Sequence, residues 1–204
     1  MARPSNAAMA AKSIEIGVAF ANASTGSTAG HDRGPQVDRV EAVWGDVGVA
    51  YCAMGQFWDF AKAYAILTNI AFDENSAVGV MRGLRNVIAS EYLTFSPSVQ
   101  EMMGAAVRDR IWRPIGHGAN NIMVGEYLCF DWTKGAGPVR EHHIEQVVSV
   151  SADSSSAQTL GWNTTGGGAS DESSNDPAMS GVHVKSRPLH TGSVMGWIGW
   201  RRGG

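Results

Sequence analysis

Cysteine is scarce in this chain: Cys52 and Cys129 are the only two among 204 residues, and most of the sequence separates them. That spacing argues against a disulfide framework. The short-spaced Cys and His pairs of a structural zinc site are also missing, and the neighbours His142 and His143 would point to opposite faces of a strand. No run reaches the roughly 18 consecutive apolar residues of a membrane span, and Met1–Phe20 lacks a charged start followed by a long apolar core. Neither membrane insertion nor secretory export is therefore expected. Charge is low, 17% of residues with a formal net charge of −3, and Trp200-Arg201-Arg202-Gly203-Gly204 is too short for a basic tract. A nucleic-acid partner is not expected. The hydrophobic content of 44% is ordinary for a globular chain of this length, and no repeat is visible, so one compact domain over 1–204 is expected.

The most informative segment is Gly48-Val49-Ala50-Tyr51-Cys52-Ala53-Met54. It places a cysteine where an extended stretch turns into an apolar helix. Met54, Phe57, Ala61 and Tyr64 recur at helical spacing, and Cys52–Leu67 contains no proline. Cys52 would sit on the first turn, where unpaired N–H groups and the helix dipole favour a thiolate and can hold an oxyanion. Cys129, inside the strand-like run Gly125–Trp132, reads instead as a buried space-filler. Downstream, Glu141-His142-His143-Ile144-Glu145-Gln146-Val147-Val148-Ser149-Val150 reads as a strand with two histidines at its entrance, of which only one can face the thiol. Gln158–Thr165 reads as a short strand entering a polar turn, where Asn163 could hold an imidazole in its reactive tautomer.

Helical patterns cover Ala7–Ala23, Val37–Trp44, Cys52–Leu67, Ser76–Leu93 and Ser98–Ile111. Strand patterns follow over Gly125–Trp132, Ile144–Val150, Thr159–Trp162, Gly181–Ser186 and Ser193–Trp200. N-terminal helices against a C-terminal antiparallel sheet make an α+β fold. Gly166–Pro177 reads as a polar surface loop. Of the seven tryptophans, Trp58, Trp112 and Trp132 are expected to pack, while Trp162, beside Asn163, is placed to shield the imidazole or meet substrate.

The order Cys52, then His143 on a strand, then Asn163 on the next resembles the CHAP family, the cysteine- and histidine-dependent amidohydrolases and peptidases that cut bacterial peptidoglycan. Further likeness lies in the approach from Gly34 to Met54, in Trp112–Gly116 with Gly125–Trp132, in His143–Val150, in Trp162-Asn163-Thr164, and in Val194–Arg201. Members with a Glu two residues before the Asn use it as a fourth catalytic group; that position is Gly161 here. Tyr51 stands where the family usually has Trp, and His142 where it has Asp. Aligning His142 with the family's histidine would put Glu145 at a core position of the strand, so His143 is preferred. Asp38, Glu41 and Asp46 lie where some members bind calcium, but their spacing lacks the dense oxygens of a calcium loop.

The resemblance implies a papain-like domain with a helical insertion at about 72–97. It implies an endolysin-like hydrolase that cuts an amide of peptidoglycan through Cys52, His143 and Asn163, with Tyr51 and Trp162 on the substrate side and no cofactor or metal. The expected partner is bacterial peptidoglycan, and the enzyme would be made in the host cytoplasm or carried in a virion. Two alternatives share these residues: a papain-like protease acting on proteins, and an inactive structural or wall-binding virion component. Oligomeric state has no readable signal.

Overall fold

The computed structural model describes residues 3–26, 32–46, 48, 51–73, 76–115, 121–132, 142–165 and 180–201. Among these residues five helices come first, α1 (Asn6–Asn22), α2 (Pro35–Ala42), α3 (Cys52–Leu67), α4 (Ala77–Glu91) and α5 (Val99–Arg108). Six strands follow, β1 (Trp112–Pro114), β2 (Tyr127–Asp131), β3 (His142–Val150), β4 (Ser156–Thr165), β5 (Ser180–Pro188) and β6 (Val194–Ile198). The fold is α+β, as the periodicities require. The helical segment within 72–97 is α4.

Local chemistry explains several boundaries. The Ser5 hydroxyl accepts from the Ala8 N–H at 3.2 Å and starts α1; Ser98 does the same for Glu101 at 3.3 Å and starts α5. Pro35 opens α2, where its missing N–H costs nothing. In α3 every residue from Cys52 to Ala61 is buried, the mark of a central helix surrounded by the rest of the fold.

The strands form one antiparallel sheet in the order β1-β6-β2-β3-β4-β5. Side chains alternate across it. Tyr127, Cys129, Ile144, Leu160 and Trp162 join the helices in the main core, while Leu128, Phe130, Val147, Ala157 and Trp197 build a second core on the opposite face. Gly55 lets α3 and β4 meet: a Cβ there would lie 2.2 Å from the Trp162 ring. Thus α3 is pressed onto the strands that carry Trp162 and His143. Among the described residues no helix is long and apolar enough to cross a membrane.

β1 has no counterpart in the strand patterns. It is three residues long and ends at a proline on the sheet edge, so it lacks a period-two signal. The polar turn expected after Trp162 is also corrected: β4 continues to Thr165 through an irregularity between Gly161 and Thr164, with Asn163 at φ +55°. The Gly166–Pro177 loop lies outside the described residues.

Candidate active site

Cys52 is the first residue of α3, and no side chain of the preceding Tyr51 caps the helix. Its first-turn N–H groups have no intrahelical acceptor, the usual condition of a helix start. The Cys52 thiol is hydrogen-bonded to His143 on β3. Both are nearly enclosed, at 5% and 4% exposure. The structure therefore brings together two residues 91 positions apart that the sequence names as nucleophile and base.

A third group completes the contact, and it is Glu145. Its Oε1 lies 3.2 Å from His143 Nε2, which leaves Nδ1 for the thiol. Two residues apart on one strand, His143 and Glu145 share a face. Glu145 is fully buried, and three donors hold it there: Arg187 Nε at 2.8 Å and Nη2 at 2.5 Å from its two oxygens, and Thr159 Oγ1 at 2.6 Å. Arg187 is itself buried, on β5. A bidentate arginine with a third donor is the arrangement that keeps a carboxylate ionised away from water.

The electrostatics follow from these contacts. Burial disfavours protonation of His143, but the hydrogen bonds to Cys52 and Glu145 overcome it and raise its pKa from 6.5 to about 9. Burial would push Glu145 up; the Arg187 and His143 hydrogen bonds outweigh it and hold the carboxyl well below its usual range. His143 is thus an imidazolium at neutral pH, held between a thiol and a carboxylate. Burial drives the other thiol, Cys129, strongly upward, and proximity to Cys52 adds to that. Cys129 is a core residue of β2.

The remaining sequence candidates fall elsewhere. Tyr51 and Trp162 are fully buried, with rings edge to face at 6.3 Å, so neither side chain offers surface to a substrate. The Trp162 indole donates to Asp59 Oδ2 at 2.7 Å inside the helix-side core, where burial raises the Asp59 pKa. The aromatic cover expected of Trp162 belongs instead to Trp132, stacked on the His143 ring at 4.1 Å and 19°. The Arg187 guanidinium lies 5.4 Å from the centre of the same indole. Asn163 sits at the β4 irregularity, and the second imidazole nitrogen, which the sequence reading gave to it, belongs to Glu145.

Gly161 makes room for the Glu145 carboxylate. It pairs with Glu145 across β3 and β4, and a Cβ on it would come 2.7 Å from Glu145 Oε1. The space above Gly161 is occupied by the carboxylate of the neighbouring strand. The preference for His143 over His142 fits the geometry, but its reason does not: Glu145 is buried on the His143 face. The neglected signal was the alternation of His183, Lys185 and Arg187 on β5, which carries basic groups along one face of a strand.

Among the described residues no group of three His, Cys, Asp or Glu is placed to hold a metal. Asp38 pairs with Arg33 at 2.8 Å, and Glu41 accepts from the Gly48 N–H at 2.7 Å, bracing the approach to Cys52. No protein-family model matches the chain, and neither does any curated protein or solved structure.

Proposed function

We propose that the chain is a cysteine-dependent hydrolase that cuts an amide of bacterial peptidoglycan, as its resemblance to the CHAP family implies. The observation that carries the chemistry is the Cys52–His143–Glu145 contact at the start of a buried helix. With Cys52 as thiolate, the charges of Cys52, His143, Glu145 and Arg187 sum to zero, which supports an ion pair in an enclosed site. The thiolate attacks the carbonyl carbon of the stem or cross-bridge amide, and the first-turn N–H groups of α3 stabilise the oxyanion. The tetrahedral intermediate collapses as His143 gives its proton to the leaving amine. Water, deprotonated by the now neutral imidazole, attacks the acyl carbon, breaks its bond to sulfur and restores the thiolate and imidazolium pair. Glu145 holds the ring and stabilises its charged form throughout.

Purified sacculi and denatured casein, digested in parallel, test the substrate. Release of muropeptide fragments from sacculi alone supports the reading. Casein cleavage alone would assign the same site to a protein-directed protease, and no cleavage of either with an inert Cys52 would assign it to a structural role.

A further inference from the structure

Trp44 just after α2, Arg85 of α4, the link 94–97 and one face of α5 line a cleft of about 360 Å³. That is within the size of small-ligand sites. Its floor is rigid: Phe95 contacts Phe57, Phe60 and Tyr127 at 5.4 to 5.6 Å between ring centres. One wall is the indole of Trp44, set edge to face on Phe57 at 5.3 Å, with the Arg85 guanidinium 3.9 Å from its ring centre. Arg108, from the last turn of α5, contributes a second cation. Arg82 ties α4 to the carbonyls of Ala42 and Val43 and so fixes the cleft's shape.

Trp44, Arg85 and Arg108 all line this cleft. Trp44 Nε1 is buried without an acceptor. An indole N–H left so costs stability that a ligand oxygen would restore. Arg85 and Arg108 are exposed, and neither has a carboxylate partner among the described residues. Glu101 also lines the cleft, its carboxylate accepting from the Ser96 hydroxyl, so two guanidinium groups stand there against one carboxylate. Two guanidinium groups, a lone N–H and an aromatic floor together fit an anion carried on an apolar or sugar body.

We propose that this cleft is a second binding site, one that takes an oxyanion, and that its physiological occupant is the carboxylate of a peptidoglycan stem peptide. The anion site rests on the cleft alone; the choice of occupant rests on the hydrolase reading. A second grip would hold an insoluble polymer while Cys52 works on it. A phosphate of a wall polymer presents the same chemistry, and the experiment separates the two sources.

The test is titration calorimetry of the full Cys52→Ala chain with a purified soluble disaccharide-peptide, with glycerol 3-phosphate and with inorganic phosphate. Arg85→Ala and Arg108→Ala should each weaken binding about tenfold or more, the loss of one charge-assisted contact. Trp44→Phe keeps the ring and should weaken it about fivefold. Unchanged unfolding midpoints show that the variants fold. Tighter binding of the disaccharide-peptide identifies the carboxylate, and tighter binding of glycerol 3-phosphate overturns that occupant while keeping the oxyanion site. Binding that ignores all three substitutions, or no binding of any probe, overturns the site. Sacculus digestion by the parent chain is scored separately: digestion without cleft binding refutes this inference alone, and cleft binding without digestion refutes the hydrolase reading alone.

Discussion

Replacing Glu145 with Gln removes one charge and keeps the side-chain shape, so it isolates what the carboxylate does for His143. In the parent, burial opposes the imidazolium and the contacts to Cys52 and Glu145 overcome it, giving a pKa of about 9. The rise from 6.5 corresponds to about 3 kcal/mol of folding stability. Because the folded pKa is the higher one, that contribution is complete below about pH 6.5 and is lost as pH rises through about 9. Glu145 has the opposite sign: its folded pKa lies below the usual 4.5, so its contribution is present above that value and fades as pH falls beneath it. In the Gln variant burial acts against Cys52 alone. The His143 midpoint should therefore fall by about one unit or more, and the alkaline decline in stability should begin at correspondingly lower pH. Arg187 would also lose its bidentate carboxylate contact, a loss of about 3–5 kcal/mol. Proton NMR of the histidine Cε1–H through pH 5–10, with urea unfolding at matched pH, measures both effects. Should the single variant fail to fold, Glu145→Gln with Arg187→Met removes both charges and carries the same expectation for His143. An unchanged midpoint in a folded variant would refute the claim that Glu145 supports the imidazolium.

Three further outcomes follow from the same geometry. Cys52→Ala should abolish fragment release from sacculi while far-UV circular dichroism stays unchanged, since alanine suits a first helical turn. His143→Ala should cost at least about a hundredfold in turnover and His142→Ala far less, because only His143 meets the thiol and Glu145; initial-rate assays on sacculi would rank them. Gly161→Ala should lower stability by about 1–3 kcal/mol in urea unfolding, because its Cβ would lie 2.7 Å from Glu145 Oε1 and 3.0 Å from Thr164 Cγ2.

The helices were legible because their signals are local. In α3 the apolar stripe and the absence of proline define Cys52–Leu67, and the same run places the cysteine on the first turn. That only one of His142 and His143 can face the thiol rests on strand alternation, again a local rule; the choice of His143 came from the family resemblance. The third member of the site was not legible in this way. Glu145 looks too costly to bury until Arg187, 42 residues later, is known to lie across the sheet, and no periodicity reports which strands become neighbours. The exchange between Trp162 and Trp132 has the same origin. Strand alternation puts Trp162 with the helices, and the β2–β3 register places Phe130 opposite His143, which brings Trp132 beside the ring.

In the proposed function Cys52, paired with His143, cuts an amide of peptidoglycan. Mass spectrometry of the soluble products from sacculi of several chemotypes tests it directly. Fragments carrying a new amine and a new carboxyl at one amide position are expected from the parent and not from Cys52→Ala. That function is contradicted if none of the sacculi yields fragments, or if Cys52→Ala releases the same fragments at the same rate.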